Sequence, residues 1–351
     1  MPFLIRIVKF CKYEFLYFGV KYLLFAKKSF LLYVDTVDNK VLDFNKILMD
    51  CGVNKIPICD VIKNIANLEE FYDSAELTCI YNYCLLNIEE PELLVQIIKL
   101  TDCHRANSTL AILLDLLQIK EDTAAEEDKE KYINLRAMCA RAIANYKDTS
   151  TVAVLLDCLN NKNEHYKVRL ACADALGRIG DKYAVKPLID VVEDEDEKSV
   201  YLKESATFAL GLLGDTSAID PLIAILESKQ GFLDKFSFLK EKIVEALGKL
   251  NFNNKRVIKA LKLSLMDSSP MVRINAIEAI MNSDENNAAE LIKPCLSDED
   301  DEVKKNALIA LYNIEGRDIL DEVLELPIYT TFLKNEAQSL LDEYESGDED
   351  E

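Results

Sequence analysis

The chain has 351 residues, half of them hydrophobic, with 62 acidic against 41 basic side chains and a formal net charge of −21. That much apolar material buries a large core, which excludes a disordered or fibrous chain. The acidic excess excludes nucleic-acid binding over the whole surface, because neutralising phosphates requires clustered Lys and Arg.

Residues 1–34 depart from this balance. They hold six basic side chains and one acid, net +5, so the remainder carries −26. Ten of the chain's 29 aromatics also lie between Phe3 and Tyr33. Uncharged runs here, such as Phe15 to Val20, reach six residues, against about 20 for a spanning helix and about 7 to 15 for a secretory signal. Neither a span nor export is expected. The segment reads either as a cap on the exposed end of the core or as a helix in peripheral contact with a membrane surface. The ten cysteines form no CxxC pair and read as reduced thiols of a cytoplasmic protein. The two histidines, His104 and His165, have no metal-ligand spacing, so neither a metal nor a cofactor is expected.

Residues 35–130 read as helical with degenerate repeats. Leu77–Asn87, Pro91–Leu100 and Thr109–Leu117 are apolar helices, and Ile56-Pro57 breaks the irregular stretch before them. From residue 131 to 344 the chain repeats. Tyr166 to Val192 is echoed by Tyr201 to Leu226: Gly177, Gly180, Asp181, Ala184, Pro187 and Leu188 recur 34 residues on. A basic residue marks each unit, at Arg136, Arg169, Lys203, Lys240, Arg273, Lys304 and Lys334, spaced by 33, 34, 37, 33, 31 and 30. Three residues after the base stands a compact or apolar one, Cys139, Cys172, Ala206, Ile243, Ala276, Ala307 or Ala337. This is an amphipathic helix whose inner side packs closely on a neighbour, and it explains two of the cysteines as core positions. Gly177 to Asp181 then reads as a turn, with Asp181 and Asp215 capping a second helix and Pro187 and Pro221 near its first turn. Such units bury their apolar faces only by stacking. The expected fold is all-α, a right-handed α-solenoid of stacked helix-turn-helix repeats. Residues 345–351 read as an acidic disordered tail.

The residues Val168-Arg169, Ala173 to Gly177, Ile179 to Asp181, Ala184 and Pro187-Leu188 resemble the HEAT-like repeat of the phycobilisome-lyase type. The resemblance implies either a protein-binding scaffold or a bilin lyase subunit that processes a chromophore on an antenna protein. A metal-dependent hydroxylase branch of the family requires His-Glu pairs; this chain has none, only the reverse Glu164-His165. No GxSxG elbow, phosphate loop or dinucleotide fingerprint is present either, and no catalytic residue is assigned. In HEAT-type stacks the second helices face the inside of the curve. The resemblance therefore points to Lys182, Tyr183, Lys186, Asp190, Asp220, Lys259, Lys262 and Lys293 as contacts for a protein partner, in a mixed, partly basic groove. Acidic clusters mark the handover between units: Glu126 to Asp128, Glu193, Asp194, Glu195 and Asp196, and Asp298, Glu299, Asp300 and Asp301. They read as an acidic edge, a solvated rim or the dock for a basic partner.

Overall fold

The structure is a computed structural model and describes residues 36–37, 40–119, 126–227, 237–250, 254–283 and 287–347. The basic aromatic segment 1–34 lies outside the described residues. The chain divides into two compact units, Met1–Ala175 and Leu176–Glu351.

The first unit opens on an antiparallel hairpin, β1 (Thr36–Val37) with β2 (Lys40–Val41), Thr36 facing Val41. Two residues per strand leave the all-α class unchanged, and the β-branched Thr36, Val37 and Val41 suit extended backbone. Helices follow: α1 (Phe44–Asp50), α2 (Ile58–Ala66), α3 (Ser74–Asn87), α4 (Pro91–Leu100), α5 (Asn107–Leu117), α6 (Glu126–Ala144), α7 (Val152–Asn160) and α8 (Tyr166–Ile179). Pro57 stands at the N-cap of α2, so the break at Ile56-Pro57 is a helix start. Helix α3 begins three residues before its apolar run, because Asp73 and Glu76 form a reciprocal capping box. The expected domain boundary at 130/131 falls inside α6, and Glu126 to Asp128 open that helix instead of lying in a handover loop. Acidic residues suit a helix N-terminus. Ile65, Tyr81, Leu113, Leu135, Ile143 and Leu155 form the buried core.

The second unit begins within α8 and continues with α9 (Val185–Glu193), α10 (Val200–Leu213), α11 (Ile219–Glu227), α12 (Ser237–Leu250), α13 (Lys255–Ser264), α14 (Pro270–Met281), α15 (Ala288–Ile292), α16 (Asp301–Glu315), α17 (Asp318–Glu325) and α18 (Thr331–Gly347). First helices pack on the first helices of the next repeat, α10 on α12, α12 on α14 and α14 on α16, while second helices follow as α9, α11 and α13. Apart from the hairpin, the described residues form an all-α solenoid of helix pairs. Helix α18 runs to Gly347, so 345–347 continue a helix in place of the expected disordered tail; 348–351 lie outside the described residues. Among the described residues, no helix is long and apolar enough to cross a membrane.

The repeat's glycines divide the work differently from the sequence expectation. Gly180 (φ +84°) and Gly214 (φ +66°) make the left-handed turns. Asp181 Oδ1 then accepts from Tyr183 N at 2.9 Å and Asp215 Oδ1 from Ser217 N at 3.0 Å, each opening a 3₁₀ turn before the second helix. Gly177 is no part of the turn. It lies inside α8, where a Cβ would stand 2.7 Å from the Cα of Ala209. Gly211 lies against Ala246 and Gly248 against Ala279 in the same way, so these glycines serve backbone approach between first helices.

Gly177→Ala forces the Ala209 backbone to move and should cost about 1–3 kcal/mol. At Gly211 the added Cβ would meet Ala246 Cα at 3.2 Å, and the helix-propensity gain of about 1 kcal/mol for Ala over Gly should leave Gly211→Ala near neutral. Urea unfolding midpoints of the two variants test the order; equal midpoints would sink the close-approach account.

Candidate functional site

The basic residue of each repeat is the fourth of its first helix in α10, α12, α14 and α16, and these side chains turn inward. Arg136, Arg169, Lys203, Arg273 and Lys304 are buried. Lys304 pairs with Asp301 of its own helix; the partners of the other four are carbonyls at the end of the preceding second helix or loop, which carry partial negative charge and lack intrahelical donors. Arg136 Nε donates to Leu117 O at 2.8 Å, and Arg169 Nε to Leu159 O at 2.9 Å. Lys203 Nζ reaches Val192 O at 3.2 Å and Asp194 O at 2.6 Å; Lys334 Nζ reaches Leu324 O at 2.9 Å. Arg273 Nη1 donates to Asp267 O at 2.8 Å.

Several of these bases also reach forward to a carboxylate of the next handover loop. Arg136 forms a two-pronged pair with Glu164, Lys240 Nζ meets Asp267 Oδ2 at 3.1 Å, and Arg273 Nη2 meets Asp298 Oδ1 at 2.7 Å. The Asp298 pair holds the Arg273 guanidinium above its ordinary value. Burial instead pushes Lys203 below the usual lysine value, with neighbouring acids, Asp194 first, opposing the shift.

Consequently the acidic edge is only partly an edge. Asp298 is consumed by Arg273, Asp300 Oδ1 caps α16 by accepting from Glu302 N at 2.9 Å, and Asp301 pairs with Lys304. The Asp194 carbonyl holds Lys203. Glu193, Glu195, Asp196 and Glu299 are exposed.

The eight residues assigned to the second helices do lie there or in the adjoining 3₁₀ turns. Lys182 and Tyr183 form the turn before α9, Lys186 and Asp190 lie on α9, Asp220 on α11, Lys259 and Lys262 on α13, and Lys293 just after α15. Their charges face one another or the next repeat. Lys182 lies 3.6 Å from Asp215, Lys186 2.7 Å from Asp190 and Lys293 2.7 Å from Glu322, and Asp220 pairs with Arg256. Carboxylates thus offset the basic character expected of this ridge. Exposed pairs of this kind contribute about 0–1 kcal/mol each, so they trim the ridge without fixing it. Tyr183, 84 % exposed, stands out from it.

Two side-chain constellations were invisible in the sequence. Ser74 Oγ lies 2.9 Å from His104 Nδ1, with Glu69 Oε1 3.8 Å from Nε2. The order suggests a hydrolytic relay, but 3.8 Å is too long for a hydrogen bond, and these contacts brace α3 against the flanking 3₁₀ turns. Cys158 of α7 and Cys172 of α8 share a hydrogen bond that lowers Cys158 and raises the buried Cys172. His165 caps α8, its Nδ1 accepting from Lys167 N at 3.2 Å. Among the described residues, no three His, Cys, Asp or Glu side chains converge into a metal-binding group.

Sequence reading also missed three large apolar side chains, each two residues before the base of its repeat: Tyr201 (66 % exposed), Phe238 (67 %) and Met271 (49 %). The repeat register carried the signal, because the same position is apolar in three consecutive units.

Arg273→Met strands Asp298 and should cost about 3–4 kcal/mol. Combined with Asp298→Asn, a double-mutant cycle should give a coupling of about 1 kcal/mol or more; strict additivity would show that the pair does not join the two loops. Lys203 has a folded-state value below its unfolded one, so the unfolded chain binds more protons in the alkaline range under about 10.4, and the lysine favours folding more as pH rises there. Wild type should therefore gain stability relative to Lys203→Met as pH is raised toward that value, read from paired denaturation curves; a gain in the opposite direction contradicts the burial account.

The family model for HEAT repeats matches residues 123–201 and 230–312, and that for the PBS lyase HEAT-like repeat matches 202–228. No match was found among curated proteins. Similar solved structures include the CpcE–CpcF complex of phycocyanin lyase from Nostoc sp., 22 % identical, covering 66 % of this chain and 94 % of that one with a TM-score of 0.43. Human deoxyhypusine hydroxylase is 16 % identical over 80 % of this chain and 99 % of its own, with a TM-score of 0.34. An archaeal HEAT-like repeat protein from Thermococcus onnurineus is 15 % identical over 68 % and 97 %, with a TM-score of 0.40. With the two repeat models together matching more than half of the sequence, and with the helix pairs stacked as described, the chain belongs to the HEAT-like repeat proteins of the PBS lyase type.

Proposed function

We propose that the chain is a non-catalytic protein-interaction scaffold, with recognition spread along the exposed faces of its stacked helices. The observation that carries this reading is the division of labour among side chains. Groups that elsewhere do chemistry, the buried Arg and Lys and their carboxylates, are bonded to helix ends and loops of neighbouring repeats. Large apolar groups such as Tyr183, Tyr201, Phe238 and Met266 stand exposed on helix ends and loops. Stacked repeats present such groups over an extended surface, the arrangement that repeat proteins use to hold partners. The residues on the second helices then contribute by shape, with Tyr183 and Lys259 as exposed contacts. The alternative, a bilin lyase subunit, draws its support from the one repeat matched at 202–228.

Chemical crosslinking in the native cell, followed by affinity capture of the full chain, should return one protein in near-stoichiometric amount. The captured material and the purified chain mixed with an open-chain tetrapyrrole should show no change in visible absorption. A bound pigment with shifted absorption would overturn the scaffold reading in favour of the lyase.

A further inference from the structure

The exposed residues Tyr201, Phe238 and Met271 are the second residues of α10, α12 and α14, three first helices that pack in succession. Neighbouring helix axes lie about 8–10 Å apart in such packing, so the three side chains form a short apolar stripe crossing the helices. Three residues on, on the same helix face, come Glu204 and Glu241. Both are half-buried, and burial raises both carboxyls, Glu204 further by Glu241 on the adjacent helix. Lys242 opposes the shift at both carboxyls, while its Nζ is shared with Glu245 at 2.7 Å and lies over the Phe208 ring at 5.6 Å. Glu241 accepts a long contact from Ser269 Oγ at 3.4 Å. At one end of the stripe stand the exposed Glu193, Glu195 and Asp196. The apolar stripe is therefore bordered by two half-buried carboxylates that share Lys242 with Glu245, and by the exposed acids of the preceding loop.

We infer that this edge of the second unit docks an extended segment of another protein in which Lys or Arg residues alternate with apolar anchors. Apolar side chains about 9 Å apart correspond to every third residue of a segment in the extended polyproline II conformation, which returns to the same face every three residues at about 3.1 Å per residue, so roughly seven residues cover Tyr201 to Met271. Each anchor meets an exposed ring or thioether, and the intervening cations meet Glu204 and Glu241. A desolvated carboxylate pair favours a partner cation more than a free carboxylate does, because part of the dehydration cost is already met in the unbound protein. This inference deepens the scaffold reading and rests on it for its physiological meaning.

The test uses the full chain and a fluorescein-labelled synthetic peptide, Leu-Lys-Lys-Phe-Lys-Lys-Leu, followed by anisotropy in about 0.15 M salt, where unpatterned surface attraction is screened beyond about 8 Å. Tyr201→Ser with Phe238→Ser should weaken binding tenfold or more. Glu204→Gln with Glu241→Gln should weaken it about fivefold and flatten its salt dependence. Asp318→Asn with Glu325→Gln, exposed acids of α17 outside the three stripe helices, should change it less than twofold. Circular dichroism melts of each variant exclude unfolding as the cause. Equal loss from the control pair, or none from the serine pair, overturns the inference as plain charge attraction. Concentration-dependent dimerisation abolished by the serine pair overturns it too, by making a second copy the occupant. Crosslinks that map a captured partner to another face, with no loss of capture in the serine variant, reject this edge and leave the scaffold reading standing. Stripe-dependent peptide binding together with pigment capture would reject the scaffold reading alone.

Discussion

The structure depends on a buried cation placed against the carbonyl end of a helix. A helix C-terminus holds carbonyls without donors and a partial negative charge, and a repeat that ends in the interior has to satisfy both. Here the base from the following first helix does so, at Leu117, Leu159, Val192, Asp267 and Leu324. Burying Arg or Lys is costly unless every donor finds an acceptor. The same requirement explains why Arg136, Lys240 and Arg273 also reach a carboxylate of the next loop. One side chain thus ties three successive segments of chain, and the ionic strength of the solvent has little access to it.

Much of this was legible in the sequence because a repeat exposes its register. The spacing of the bases, the Gly180-Asp181 and Gly214-Asp215 turns and the early prolines placed the helices. What the register could not convey was direction. Lys and Arg are ordinarily solvent-facing, and nothing local to Arg273 reveals that Asp298, 25 residues away, is its partner. Gly177 was misjudged for a related reason. A glycine near a helix end reads as a turn former, whereas its contact, Ala209, belongs to the next repeat. The hairpin at Thr36–Val41 escaped because four residues of strand leave no periodicity to detect.

The candidate surfaces follow the same division. Charged residues on the second helices looked free because their partners, Asp215, Arg256 and Glu322, stand in the adjacent repeat. Their pairing leaves the groove less basic than its own residues imply, with Lys259 still exposed. Along the first helices the balance differs: Glu204 and Glu241 lie close enough for Glu241 to raise Glu204, and both share the cation of Lys242 with Glu245, next to rings that solvent touches. Electrostatic character therefore cannot be assigned to a repeat surface by adding formal charges along the sequence. It depends on which neighbour each charge meets.

The glycine contacts and the buried bases together have a mechanical meaning. Gly177, Gly211 and Gly248 each come eight residues after a base, Arg169, Lys203 and Lys240, or about 12 Å along the helix at 1.5 Å per residue. Two fixed points so separated define an axis: the helix can roll slightly, but it cannot splay from its neighbour. In α14 and α16 the position eight after the base is Met281 and Tyr312, too bulky for backbone contact. The contact of α14 with α16, and that of α16 with the next helix, are therefore pinned at the base and cushioned by side chains further along. Bending of the second unit under load should therefore concentrate in its last repeats, with the earlier ones moving as a stiff block.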